Sequence, residues 1–141
     1  MPLGAEWVSA ASELEEKVFS KEAWSAKAIA ETISHNGRYF AAFSNDVYVG
    51  HGGFTFAADE GYVTNIVVGE NARRQGVASK ILEEMLLSAK DLGLAFLSLE
   101  VRESNLSAIK LYEKNGFTLR GKRPKFYSEP IETALIFTKD I

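Results

Sequence analysis

The stretch TNIVVGENARRQGVASKILEEMLLSAKDLGLAFLSLEVRESNLSAIKLYEKNGF, from Thr64 to Phe117, decides the fold. It opens on the end of a β-branched run and breaks at the polar loop GENARRQG. Helical spacing then takes over from Val77 to Leu92: Val77, Ile81, Met85 and Ala89 share one face, and Leu82, Leu86 and Leu92 widen it. Gly93 is placed to stop that helix. Period two returns at Ala95–Val101, where Leu97, Leu99 and Val101 face one way and Ser98 and Glu100 the other. A second helix over Leu106–Asn115, with Asn105 as its cap and Gly116 as its stop, completes a strand–helix–strand–helix unit.

Upstream, Tyr39–Phe43, Val47–Phe56 and Tyr62–Val68 read as strands. Asn45-Asp46 and Asp59-Glu60-Gly61 separate them at hairpin spacing. Gly50, Gly52 and Gly53 in the middle strand point to a bulge or to a close backbone approach, and the bulge is the preferred reading. Ahead of these strands, Ser12 with Glu15 has capping-box spacing for a helix over Glu13–Phe19, and Ser25 would cap Ala26–Ile33. Downstream, Phe117–Gly121 and Glu132–Thr138 are further strands. The expected order is β-β-β-α-β-α-β-β after two leading helices. This is an α+β fold with a single mixed central sheet and helices on its faces. No repeat or linker divides the chain, and 141 residues suit one domain over 1–141.

Composition narrows the function classes. Hydrophobic residues make up 46% and well-mixed charges 25%, as in a globular domain. A net charge of −3 gives no global electrostatic case for nucleic acid or an anionic membrane. The absence of cysteine excludes disulfides, thiolate metal sites and a cysteine nucleophile. His35 and His51, far apart in sequence, make no recognisable metal set. The start MPLGAEWVSAASELEEK lacks a basic segment followed by an apolar run, so no signal peptide and a cytoplasmic location are expected.

Two places carry candidate chemistry. The loop from Gly69 to Gln75 leads from a strand end to a helix start, where unpaired N–H groups and the helix dipole favour an anion such as a pyrophosphate. Arg73 and Arg74 add charge, Gly76 permits close approach and Ala78 keeps the site uncrowded. No GK[ST] or GxGxxG pattern accompanies it, and a plain connection with solvated arginines is the competing reading. The second place is Glu100 with Asn105 and Tyr112. Glu100 is a solvated strand residue or a general base whose pKa partial burial would raise. Asn105 is a helix cap, and Tyr112, four residues after Ala108, is a core aromatic with a wet hydroxyl.

The whole segment Thr64–Phe117 resembles the core of the GNAT superfamily of N-acetyltransferases. RRQGVA matches that superfamily's [RQ]-x-x-G-x-[GA] loop, and LEVRESNLSAIKLYEKNGF is similar to the bacterial ribosomal-protein alanine N-acetyltransferases of the Rim type. The likeness extends through EAWS upstream and KRPKFYSEPIETALI downstream. It implies a GNAT-like fold with helices on both sheet faces and acetyl-CoA as co-substrate. Ile66, Val67 and Val68 would offer strand backbone to the pantetheine and the acetyl carbonyl. Arg74, Gln75, Gly76, Val77, Ala78 and Ser79 would wrap the pyrophosphate, and Asn105 would contact CoA. Glu100 would accept the proton and Tyr112 would donate one.

The resemblance implies transfer to a protein's N-terminal α-amine, as on a ribosomal protein, by direct attack in a ternary complex. A small amine, a lysine or a non-catalytic acyl-CoA-binding module are the alternatives. Relatives often carry a proline where this chain has Gly69-Glu70-Asn71. Phe126-Tyr127 stands where the Rim type often has paired tyrosines, and Thr133 where an acidic residue is common. The last two departures fall in the expected acceptor groove. Arg120, Lys122, Arg123 and Lys125 read as a solvated hairpin, or as a surface for acidic or RNA-bound partners.

Overall fold

The computed structural model describes residues 2, 7, 10–14, 36–73, 76–128 and 130–141. The strands are β1 (Gly37–Ser44), β2 (Val47–Ala57), β3 (Glu60–Val68), β4 (Phe96–Arg102), β5 (Thr118–Tyr127) and β6 (Glu132–Asp140). Two helices are α1 (Val77–Asp91) and α2 (Leu106–Lys114), and a 3-10 turn covers Glu70–Ala72. The strands form one mixed sheet in the order β1-β2-β3-β4-β6-β5. Only β3 and β4 run parallel; every other neighbouring pair is antiparallel.

Local chemistry accounts for the first half. Asn45 and Asp46 both have positive φ, which suits the two-residue hairpin turn whose twist matches its strands. The next turn falls at Ala58-Asp59, one residue earlier than expected, because Ala57 already pairs with Glu60. The glycines of β2 meet both sequence readings. The ladder slips at Val49, beside Gly50, against β1, and again between Gly53 and Phe54, where the extra residue is Thr64 of β3. The glycines also serve close approach. A Cβ on Gly53 would stand 2.7 Å from the Arg38 carbonyl oxygen and the Tyr39 ring, and one on Gly52 would stand 2.6 Å from Ile81 of α1.

The apolar face of α1 buries Ile81, Leu82, Met85 and Ala89, whereas Leu92 sits past the helix end and stays exposed. These side chains meet Phe54, Leu97, Leu99, Val101, Phe137 and, from α2, Tyr112. Fully buried side chains such as Leu82 and Met85 contribute roughly 1.5–3 kcal/mol each. Both labelled helices therefore pack on one sheet face. The other face carries Tyr39 and Ala41, covered by Ala11 and Trp7. Residues 10–14 are helical, so Ser12 lies inside that helix and is not its cap. The remainder of the two leading helices expected from sequence lies outside the described residues. Among the described residues, no helix is long and apolar enough to cross a membrane.

β5 continues to Tyr127, well beyond the expected Gly121. It holds an outer position, so Pro124 removes no bond to a further strand. Its pairing with β6 slips between Arg123 and Tyr127, where Lys125 takes φ 57°.

Candidate active site

The parallel ladder between β3 and β4 contains three residue pairs, Glu60–Phe96, Gly61–Leu97 and Tyr62–Ser98. Beyond Tyr62, β3 continues to Val68 and β4 to Arg102 without pairing to each other. The bulge at Thr64 falls just past the last pair and turns β3 away. The two strands open a cleft of about 1290 Å³ in the middle of the sheet. Ile66, Val67 and Val68 line one side of it, and Glu100 and Arg102 line the other.

One end of the cleft is the start of α1. The first helical hydrogen bond runs from the Lys80 N–H to the Gly76 carbonyl, at 3.1 Å. The N–H groups of Val77, Ala78 and Ser79 therefore lack helical partners, and among the described residues no side-chain cap bonds to them. Gly76 holds φ +75°, and a Cβ there would meet nothing within 4 Å. Gly76, Val77, Ala78 and Ser79 all line the cleft, beside Arg73, whose Nε donates to the Val68 carbonyl at 3.2 Å. Arg74 and Gln75, expected in the same loop, lie outside the described residues.

The other expected residues meet in the same cleft. Asn105 performs the capping role, accepting from the Ala108 N–H at 3.2 Å, and also lines the cleft. Glu100 projects from the β4 face opposite the Leu97–Leu99–Val101 core. Its side chain is 30% exposed, and its Oε1 lies 3.7 Å from Arg123 Nη1. Tyr112 approaches from the helical face, buried beside Phe117. Glu100 and Tyr112 belong to opposite faces and still share the cleft, because the gap between β3 and β4 passes through the sheet. Burial, and after it the neighbouring Tyr127, pushes the Tyr112 hydroxyl above the usual phenol range. The phenol is neutral at physiological pH.

His51 is fully buried on the other face, with Nδ1 2.6 Å from the Tyr48 hydroxyl, and does not line the cleft. Arg123, Phe126 and Tyr127 do line it, which assigns the β5–β6 hairpin to the site. Sequence reasoning left Arg123 on a solvated hairpin. The available signal was the Phe126-Tyr127 pair, an aromatic step beside a basic run.

A mixed sheet split between its two parallel strands, with an uncapped helix start at the split, defines the class. The family model for the acetyltransferase (GNAT) family matches residues 5–117, and the chain belongs to that family of acyltransferases. The chain is 33% identical over 104 residues to the [ribosomal protein bS18]-alanine N-acetyltransferase of Escherichia coli strain K12, covering 74% of this chain and 70% of that one. The crystal structure of the ribosomal-protein-S18-alanine N-acetyltransferase from Escherichia coli superposes with a TM-score of 0.89 at 30% identity, over 100% of this chain and 92% of that chain. A GNAT family acetyltransferase from Elizabethkingia anophelis with acetyl-CoA bound shares the fold at a TM-score of 0.76 and 20% identity, over 92% and 89% of the two chains.

Proposed function

We propose that this N-acetyltransferase moves the acetyl group of acetyl-CoA to the N-terminal α-amine of a protein, in the manner of the ribosomal-protein alanine enzymes. The observation that carries the reading is the presence of Glu100, Tyr112 and an uncapped helix start in one cleft. The free N–H groups of Val77–Ser79 and the charge of Arg73 suit a pyrophosphate. The β3 edge from Ile66 to Val68 that faces β4 has no strand partner there and suits an amide-bearing chain such as pantetheine. Arg74 and Gln75 belong to this proposed binding loop by sequence, and Asn105 borders the same cleft. Acetyl-CoA supplies an activated thioester when bound.

The protein's own residues handle the protons. The attacking amine must be neutral, and a peptide α-amine at pKa ~7.8 reaches that state more readily than a lysine at ~10.4. The difference is roughly 3.5 kcal/mol at pH 7. The amine adds directly to the acetyl carbonyl, so the C–N bond forms and the C–S bond breaks within a ternary complex. Glu100 accepts the amine proton, directly or through one water. Tyr112 faces the sulfur as charge develops there. An ordinary phenol at pKa ~10 lies about 1.5 units above a thiol at ~8.5, so giving up its proton costs roughly 2 kcal/mol, and burial raises that cost. Tyr112 therefore acts first as a hydrogen-bond donor, and its proton follows only as the C–S bond breaks. Solvent returns the Glu100 proton to Tyr112 and closes the balance.

Similarity to the Escherichia coli enzyme supports the protein acceptor. The test is CoA release with an alanine-starting peptide, the same peptide blocked at its N-terminus, and polyamines. Release with the free peptide only, and a product ion bearing the acetyl on residue one, is the expected result. Acetylation on lysine, or on polyamines with peptides inert, would reject the assignment.

A further inference from the structure

The β5–β6 hairpin enters the cleft through Arg123, Phe126 and Tyr127, yet its own ladder holds it poorly near the tip. Pairing slips between Arg123 and Tyr127, Lys125 takes a left-handed φ, and Ile131 at the tip is 71% exposed. Tyr127 is half-buried and pairs with Glu132, but no regular pairing joins it back to Arg123.

Arg102 of β4 reaches this turn. Arg102 Nη1 donates to the Pro130 carbonyl at 3.1 Å and to Glu132 Oε1 at 3.2 Å, and Nη2 donates to the Ser128 carbonyl at 3.2 Å. Its guanidinium carbon stands 4.4 Å from the centre of the Tyr127 ring. Glu132 extends the connection, because its Oε2 accepts from the Ser104 N–H at 2.6 Å, next to the Asn105 cap of α2. One planar group thus ties β4, the hairpin tip and the start of α2 into one frame around the cleft. A planar fork of donors fits two carbonyls and a carboxylate at once, while its flat face stacks on a ring; an ammonium has neither the fixed fork nor the flat face.

We propose that Arg102 is a positioning residue for the acceptor: it sets Tyr127, Ser128 and Pro130, and through them the wall of the cleft that receives the incoming amine. This rests on the peptide-acceptor reading above for its substrate, but not for its geometry. Arg102 touches no reacting atom in this scheme. Its loss is therefore expected in acceptor recognition and not in acetyl-CoA affinity.

The test compares wild type, Arg102→Met, which keeps the stem and loses the fork, and Arg102→Lys, which keeps the charge. Hydrogen exchange across residues 126–132, calorimetry with acetyl-CoA, and KM and kcat for the alanine-starting peptide are measured on each. The expected result for both variants is exchange and acceptor KM raised about tenfold, the scale of a lost charge-assisted hydrogen bond, with acetyl-CoA affinity held within about twofold. Arg102→Lys at wild-type KM and exchange would overturn the role of the fork. Unchanged exchange in Arg102→Met would overturn the clamp. A common loss of acetyl-CoA affinity, acceptor affinity and melting temperature would mean a general structural role and overturn the proposal as well. Wild-type protein inert toward every peptide would reject the peptide-acceptor reading instead, and the exchange comparison would then decide the clamp alone.

Discussion

Glu100→Gln keeps the size of the side chain and removes its capacity to take up a proton, so kcat is expected to fall by about 10²–10⁴-fold if the carboxylate is the base. Calorimetry should find acetyl-CoA affinity little changed. Tyr112→Phe removes a single oxygen from a buried ring, so the fold is retained and the loss should appear as slower thiolate departure. Single-turnover kinetics on the true acceptor separates that step from binding. Wild-type rates in both variants would remove the pair from the chemistry. What the sequence hid at this scale was a partner for Glu100. Arg123 lies on another strand, and its 3.7 Å approach depends on β5 continuing past Gly121.

At the start of α1, Gly76→Val puts a branched residue at φ +75°, where such residues are strained, and adds bulk to the mouth of the cleft. Weaker acetyl-CoA binding by calorimetry is the expected outcome; unchanged affinity would take the loop out of the site. In β2, Gly53→Ala forces a methyl against the Arg38 carbonyl oxygen, a backbone atom that cannot swing aside. A loss of about 1–3 kcal/mol in urea unfolding is expected, as for other overpacked positions. The helices were legible because α1 and α2 repeat apolar residues at helical spacing between Gly76, Gly93, Asn105 and Gly116, residues with clear backbone roles. The reach of β5 was not, since Pro124 and the basic run mimic a loop and are tolerated only at the sheet's edge. Nor does periodicity report that β6 inserts between β4 and β5, an order set by tertiary packing.

For the molecule as a whole, two groups tie stability to pH in opposite directions. The Ser104 contact to Glu132, with Arg102 beside it, holds that carboxyl below the usual range. A depressed carboxylate stabilises the fold above its unfolded pKa of ~4.3, and that contribution disappears as pH falls through the folded value. Tyr112 is raised, so its contribution is full below the unfolded phenol pKa of ~10 and is lost as pH climbs toward the folded value. Urea unfolding across pH should therefore show Glu132→Gln converging on wild type in acid, and Tyr112→Phe gaining on wild type above pH ~10. Parallel stability curves for wild type and variants would contradict both assignments. The three-pair seam between β3 and β4 carries a mechanical consequence. Most sheets are weakest at the margin, where a strand can peel away. This one has its fault line in the middle: residues 37–68 form one plate and residues 96–140 the other, with α1 lying across both. Whatever lodges in the fault acts as a weld, so a molecule that holds its substrate should also be one whose two plates no longer part.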